Sequence, residues 1–277
     1  MESRKIHLLV TDVDGTLLDP QKRISEPTIE AIRELEQAGI HLSIVSHRPL
    51  PALKRLMEKF HLRGLCAALN GGIIADEQFV ILIEHDLRPT IVQEVVGTIE
   101  GYHLDPWLYT RDHWYVSRSE GPHVQHEAEA MALSPLPFES LGELDQPVIK
   151  VSAVGDDYDA VRACENLLQS RHGVQLSISR PRSNVLDISH GDANKGVAVT
   201  TIAHRLQIPL IEVASAGDGE NDIPMLRLTG RSIAMGQAPP DVHRAATDTT
   251  TSNSQDGLAW AIRHIVLAGQ QVSPSGQ

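Results

Sequence analysis

The stretch IHLLVTDVDGT (residues 6–16) determines the predicted fold of the chain. Its first part, residues 6–11, is a short apolar run of the kind that forms a strand buried on both faces of a parallel sheet. Its second part places Asp12 and Asp14 directly after that strand, and Gly15 permits a tight turn. Because ligands bind beyond the carboxyl ends of the strands in an open parallel sheet, the stretch predicts a polar site there.

Outward from this stretch, helical and strand patterns alternate in both directions of the sequence. Such alternation predicts a Rossmann-like parallel sheet with helices on both faces, an α/β fold. One helix is marked by Ser25, which has the position and residue type of an N-cap. The other predicted elements of the core are strands at 40–45, 65–69, 211–216 and 232–235 and helices at 51–60, 193–206, 220–228 and 255–268.

The middle of the chain has a different pattern, with several short strands and helices and a predicted loop over residues 133–146. This mixture predicts an α+β domain inserted into the α/β core. We expect the core to consist of residues 1–82 and 185–277, and the inserted domain to span residues 83–184.

Composition narrows the possible functions. The chain has 277 residues, of which 41% are hydrophobic and 22% are charged, close to the average of globular proteins. Its 24 Lys and Arg against 36 Asp and Glu give a net charge of −12. An acidic chain is repelled by nucleic acid and by anionic membranes, so we expect neither as a partner. The same charge suits either simple solubility or carboxylates gathered around a divalent cation.

The two cysteines, Cys66 and Cys164, form neither a disulfide framework nor a metal-binding motif. The chain shows no apolar run with the features of a signal peptide or of a membrane span. We therefore expect a protein of the reducing cytoplasm with free thiols.

Polar residues follow three of the predicted core strands. Asp12 and Asp14 follow the first, Ser46 the second, and Asp218 a late one. The carboxylates of Asp12 and Asp218 and the main-chain carbonyl of Asp14 are oxygen ligands of the kind that Mg²⁺ binds. Lys195, at the start of a helix, could neutralise a phosphate group. Taken singly, the aspartates could be loop acids, Ser46 an N-cap and Lys195 a solvated lysine.

Taken together, DVDGT (12–16), Ser46, Lys195 and GDGEND (217–222) resemble the four motifs of the haloacid dehalogenase superfamily of phosphohydrolases. The inserted domain resembles the type-two cap of the Cof-type sugar-phosphatase branch. The chain departs from that pattern at His47, where relatives usually carry glycine. It also carries Gln237 where relatives often carry asparagine, at a position expected to lie away from the core chemistry.

The resemblance implies a Mg²⁺-dependent phosphatase that hydrolyses phosphomonoesters of small metabolites, with sugar phosphates favoured. In this scheme Asp12 is the nucleophile, Asp14 is the general acid and base, and Lys195 is the third catalytic residue. The implied roles of the remaining residues are phosphate binding for Ser46, Lys195 and Asn221, metal binding for Asp12, Asp218 and the Asp14 carbonyl, and support of the site for Asp222.

Two alternatives use the same residues. A phosphomutase or phosphotransferase acting on sugar phosphates would need the same pair of aspartates, Asp12 and Asp14. A phosphorylation-dependent switch would also phosphorylate a strand-end aspartate, although the chain is much longer than such a domain. The partner expected in every case is a small phosphorylated metabolite, and we expect a monomer or a small homo-oligomer.

Overall fold

The computed structural model describes residues 5–121 and 123–268. The strands are β1 (Leu8–Thr11), β2 (His41–Val45), β3 (Cys66–Ala68), β4 (Ile73–Ala75), β5 (Ile81–Glu84), β6 (Asp105–Tyr109), β7 (Trp114–Val116), β8 (Leu136–Pro137), β9 (Lys150–Val154), β10 (Leu176–Arg182), β11 (Val185–His190), β12 (Val213–Gly217), β13 (Arg231–Ala234) and β14 (Asp248–Thr249). The helices are α1 (Glu26–Gln37), α2 (Leu50–Lys59), α3 (Pro89–Gly101), α4 (Val124–Met131), α5 (Tyr158–His172), α6 (Lys195–Arg205), α7 (Ile223–Leu226), α8 (Pro240–Ala245) and α9 (Gly257–Ala261). Among the described residues, no helix is long and apolar enough to cross a membrane.

The chain divides into two compact units. Of the described residues, the first unit comprises 5–46, 62–66 and 195–268, and the second comprises 47–61, 67–121 and 123–194. In the first unit β1 pairs in parallel with β2 on one side and with β12 on the other. Beyond β12, strands β13 and β14 also pair in parallel. The predicted class, an α/β fold with a parallel sheet core, is confirmed.

Helix α1 shows how local sequence sets the elements of the first unit. Ser25 precedes the helix in an extended conformation, and its side chain accepts a hydrogen bond from the Thr28 N–H, which satisfies one of the free donors of the first turn. Ile32 and Leu35, spaced for one helical face, are buried. Glu34, beside this buried face, accepts hydrogen bonds from Arg263 in the π-helical turn that follows α9. The predicted N-cap at Ser25 is therefore confirmed.

The second unit is built around a six-stranded sheet with the order β10-β11-β9-β6-β7-β8. Its strand pairs are antiparallel except for β7 and β8, which run parallel. Apolar residues of α3 and α5 pack with alternate residues of the sheet in one hydrophobic core, which includes Val95, Val161 and Val151. This mixture of helices and antiparallel strands agrees with the α+β pattern of the middle region.

The opposite face of this sheet carries buried polar side chains. Lys150 and Asp187, which are both buried, form an ion pair with 3.1 Å between Nζ and Oδ2. The hydroxyl of Ser152 donates to the other oxygen of Asp187 at 2.5 Å. Lys150 Nζ also lies 4.3 Å from the ring centre of Tyr109. The ion pair is thus surrounded by partners that replace water.

The predicted limits of the inserted domain differ from those of the compact units. The limit placed after residue 184 falls between β10 and β11, which pair antiparallel over most of their length. Strand β11 also pairs with β9, so it belongs to the six-stranded sheet. The assignment of residues 83–184 as a cap stays a prediction.

Candidate active site

The site begins where two neighbouring parallel strands end. Asp12 directly follows β1, and its N–H donates to the carbonyl of Ala216 in β12 at 3.0 Å, which extends the ladder by one residue. Asp218 follows the end of β12. Because parallel strands share their direction, these carboxylates emerge at the same edge of the sheet. Ser46 follows β2 on the other side of β1 and is buried.

Lys195 is the first residue of α6, and its side chain is fully buried. Its Nζ contacts Oδ1 of Asp12 and donates to Oδ1 of Asp222 at 2.6 Å. The attraction of the two carboxylates outweighs the cost of burial and raises the pKa of Lys195 above its ordinary value. The lysine therefore carries its positive charge beside the predicted nucleophile.

Asp222 joins three parts of the site. One of its oxygens accepts the hydrogen bond from Lys195, and the other accepts the N–H groups of Asp218 and Gly219, each at 2.9 Å. These bonds fix the loop after β12 and the position of the lysine at once. Asn221 lies in the same one-turn helix, residues 220–222, and is partly exposed.

The carboxylate of Asp218 is held by side chains from two other segments. Thr16 Oγ1 donates to its Oδ1 at 3.2 Å, and Gln237 Nε2 lies 3.3 Å from its Oδ2. Gly15 has φ +90°, and a Cβ atom there would collide with the same carboxylate. A residue without a side chain is thus required for the two loops to approach each other.

Asp14 faces a different partner. Its carboxylate accepts a hydrogen bond from Lys22 Nζ at 2.6 Å, and about half of the lysine side chain is exposed. Lys22 is in the left-handed region, at φ 59°, in the loop before α1. No sequence pattern predicts this ion pair, because it depends on the conformation of that loop.

Gln237 requires a correction to the sequence analysis. It does not lie away from the core chemistry, because its Nε2 donates to the main-chain carbonyl of Gly15 at 2.6 Å and also reaches Asp218. Its Oε1 accepts the N–H of Asn253 at 3.0 Å, and the Asn253 amide donates to the Leu18 carbonyl. The side chain therefore links the loop after β1, the loop after β12 and the segment before α9.

The electrostatics of the site favour a bound cation. One carboxylate oxygen each from Asp12, Asp218 and Asp222 lie within 4.8 Å of one another, close to the single ammonium of Lys195. Burial is the main cause that raises the pKa of Asp12 well above its ordinary value. Burial and the charge of Asp222 raise the pKa of Asp218 to about 6. A divalent cation would compensate the excess of negative charge, and oxygen donors are the ligands that Mg²⁺ prefers.

Comparison with known proteins agrees with this geometry. A family model described as haloacid dehalogenase-like hydrolase matches residues 9–262. The chain belongs to this family. The resemblance inferred from the four motifs is thereby confirmed.

Individual relatives are similar to this chain over nearly the full length of both proteins. A Bacillus subtilis 5-amino-6-(5-phospho-D-ribitylamino)uracil phosphatase is 29% identical over 266 residues, which cover 96% of this chain and 98% of the relative. The crystal structure of a haloacid dehalogenase-like hydrolase from Bacteroides thetaiotaomicron is 28% identical, with a TM-score of 0.85, and covers 94% of this chain and 100% of its own.

A further solved structure, described as a subclass IIB sugar phosphatase of the superfamily, has a TM-score of 0.81 at 24% identity and covers 93% of this chain and 98% of its own. At that identity the likeness shows the fold alone. The enzyme class predicted from the sequence, a phosphatase of this family, is confirmed by the family match and by the named relatives.

Proposed function

We propose that the protein is a Mg²⁺-dependent phosphatase that hydrolyses phosphomonoesters of small metabolites through an aspartyl-phosphate on Asp12. The observation that carries this proposal is the position of the Asp12 carboxylate. It is buried at the end of β1, with one oxygen against the ammonium of Lys195 and with the carboxylate of Asp218 nearby. A desolvated carboxylate beside a fixed cation suits in-line attack on a phosphoryl group, whose own charge the cation offsets.

In the first step, an oxygen of Asp12 attacks phosphorus, and the bond between phosphorus and the leaving oxygen breaks. Asp14 gives its proton to that leaving oxygen. Lys195, with the hydroxyl of Ser46 and the amide of Asn221, holds the oxygens of the transferred group. In the second step, water attacks phosphorus, Asp14 takes the proton from the water, and inorganic phosphate leaves with Asp12 restored.

The pairing of Asp14 with Lys22 bears on both of these steps. The lysine ammonium lies 2.6 Å from the carboxylate, so a positive charge stands beside the group that is proposed to give and to accept the proton. We therefore expect Lys22 to influence how Asp14 alternates between its two roles.

The metal has a defined set of donors in this proposal. Asp12 and Asp218 would bind Mg²⁺ through their carboxylates and Asp14 through its main-chain carbonyl. When bound, the ion supplies positive charge that offsets the negative charge on the phosphoryl oxygens. Asp222 is already engaged by Lys195 and two N–H groups, so its part is to position its neighbours.

The substrate class we favour is a phosphorylated polyhydroxy metabolite, such as a sugar phosphate. One comparison supports it, because the Bacillus subtilis relative is named for a phosphorylated ribityl compound. The assignment of residues 83–184 as a cap that selects the leaving group is part of the same proposal.

The test is phosphate release from a panel of sugar phosphates, nucleotides, pyridoxal phosphate and an aryl phosphate, with MgCl₂ and with EDTA. Asp12→Asn removes the nucleophile, and Asp241→Asn, an exposed aspartate on α8, is the matched control. We expect release with Mg²⁺ from the wild type and the control variant, and none with EDTA or from Asp12→Asn. An isomeric sugar phosphate without free phosphate would identify a phosphomutase instead. Release that persists in Asp12→Asn would refute the proposed nucleophile.

A further inference from the structure

Two histidines of the second unit come together from segments far apart in the sequence. His85 directly follows β5, and its N–H donates to the carbonyl of Gly72 at 2.8 Å. His190 is the last residue of β11, where it pairs with Leu176 of β10. Main-chain hydrogen bonds therefore fix the positions of both residues, and these positions bring the two side chains close together.

The two imidazole rings lie face to face, with 5.3 Å between their centroids and 11° between their planes. Asp192, two residues after His190, places its Oδ2 3.7 Å from His190 Nδ1. One ring nitrogen from each histidine and one carboxylate oxygen of Asp192 lie within 4.8 Å of one another. The rings are partly buried and Asp192 is exposed, so the cluster can be reached from solvent.

The hydrogen bonding of the cluster leaves ligand atoms available. Within residues 5–121 and 123–268, neither ring nitrogen of His85 has a hydrogen-bond partner. On His190, Nδ1 accepts the N–H of Asp192 at 3.2 Å.

We propose that His85, His190 and Asp192 form a second metal site, for a borderline divalent ion such as Zn²⁺. Imidazole nitrogen with a carboxylate suits zinc and its neighbours in the first transition row, whereas Mg²⁺ takes oxygen ligands. Zinc binds nitrogen at about 2.1 Å, so small side-chain rotations would complete the site. Coordination by the His190 ring would replace or shift its hydrogen bond from Asp192, a modest cost compared with a metal bond.

The two metal sites of the molecule would then differ in chemistry. The proposed magnesium site, formed by the carboxylates of Asp12 and Asp218 and the main-chain carbonyl of Asp14, offers only oxygen, and the cluster of the second unit offers two nitrogens and one oxygen. Because of this difference, we expect Mg²⁺ to bind at the oxygen site and Zn²⁺ to bind at the site of His85, His190 and Asp192. A zinc ion bound by His85 and His190 would tie the end of β5 to the end of β11. The second site does not depend on the proposed phosphatase mechanism.

The experiment is calorimetric titration of the untagged, full-length protein with ZnCl₂ in excess MgCl₂, which keeps the oxygen site occupied. Variants His85→Asn and His190→Asn each remove one ligand. His126→Asn, an exposed histidine on α4, is the matched control. Because loss of an outer partner of a metal ligand weakens binding 10- to 100-fold, loss of a ligand should weaken it by about 100-fold or more.

We expect the wild type and His126→Asn to bind one equivalent of Zn²⁺ with equal affinity, and both ligand variants to lose it. The visible spectrum of the Co²⁺-substituted protein gives a second readout, which should show nitrogen coordination in the wild type and lose it in either variant. Circular dichroism of each variant checks that it is folded. Equal Zn²⁺ affinity in the wild type and in folded His85→Asn and His190→Asn would overturn the proposal.

Discussion

At the scale of single residues, Asp218 is a carboxylate whose charged form is destabilised by its surroundings in the fold. Its pKa is about 6 in the folded protein, against an ordinary value of 3.8, because of burial and the charge of Asp222. The folded state thus binds this proton more tightly than the unfolded state does. The carboxylate therefore destabilises the fold above about pH 6, and this effect fades as the pH falls toward about 4. We expect Asp218→Asn to raise the free energy of unfolding, without metal, by on the order of 1–3 kcal/mol at about pH 7.5.

The measurement is urea denaturation in EDTA at about pH 7.5 and at about pH 5, where the gain should shrink. Asp241→Asn, which removes an exposed carboxylate, should give no comparable gain at either pH. A free energy of unfolding for Asp218→Asn that equals or falls below the wild-type value at the higher pH would contradict this account.

Gln237 is the second residue whose contacts lead to a prediction. Its amide holds both the Gly15 carbonyl and the carboxylate of Asp218, which is a metal ligand in the proposed mechanism. Gln237→Ala removes this support and leaves the ligands in place. We expect the Mg²⁺ concentration for half-maximal activity to rise about tenfold, with a smaller change in kcat at saturating Mg²⁺.

A steady-state Mg²⁺ titration, paired with the thermal shift on Mg²⁺ addition, checks this expectation. Gln125→Ala, an exposed glutamine on α4, is the matched control and should leave both measurements unchanged. An unaltered Mg²⁺ requirement in Gln237→Ala would show that the hydrogen bonds of Gln237 do not support metal binding.

The residues of the site differ in how far the sequence could predict them. Asp12, Asp218 and Lys195 occupy strand ends and a helix start, so their convergence follows from a parallel sheet once the elements are recognised. The contact of Gln237 with Gly15 joins positions 222 residues apart through two loops. No periodic pattern fixes the conformation of such loops, and the predicted position of Gln237 away from the site was therefore wrong. The roles of the site residues in catalysis stay predictions.

At the scale of elements, the sequence predicts a helix or strand correctly where its apolar residues recur with a clear period or where a capping residue marks its end. Helix α1 was predictable because Ser25 marks its start and apolar residues recur on one face. Strand β8, residues 136–137, lies in a segment that the sequence predicts to be a loop. The strand has only two residues, one of them a proline, and it forms through its pairing with β7. Short elements of this kind are set by tertiary contacts rather than by their own sequence.

The ion pair of Lys150 and Asp187 provides a prediction about neighbouring strands. Both side chains are buried between strands β9 and β11, where water cannot replace a lost partner. Lys150→Met leaves a buried, unpaired carboxylate and should lower the free energy of unfolding by roughly 3–5 kcal/mol. The double variant Lys150→Met/Asp187→Leu removes both charges, so we expect it to recover most of that loss.

Urea denaturation of the wild type, of Lys150→Met, of Asp187→Leu and of the double variant forms a complete thermodynamic cycle. Ser152→Ala serves as a control, since it removes a hydrogen bond to Asp187 but no charge, and it should cost clearly less than Lys150→Met. A double variant less stable than Lys150→Met alone would mean that the ion pair matters for reasons other than mutual charge compensation.

At the scale of the whole molecule, the net charge of −12 and the acidic site affect stability in different ways. Repulsion spread over the surface is screened by any salt, because the Debye length falls to about 10 Å at 0.1 M ionic strength. A cation bound by Asp12 and Asp218 acts instead by mass action, and stabilises the fold by about 2.7 kcal/mol when its concentration is 100 times its Kd.

Thermal unfolding in NaCl and in MgCl₂ at equal ionic strength separates the two effects. We expect both salts to raise the Tm of the wild type, MgCl₂ by more. Asp218→Asn lacks one of the proposed ligands, so both salts should raise its Tm equally. If MgCl₂ and NaCl stabilised the wild type to the same extent, screening alone would explain the effect, and Asp12 and Asp218 would not form a magnesium site.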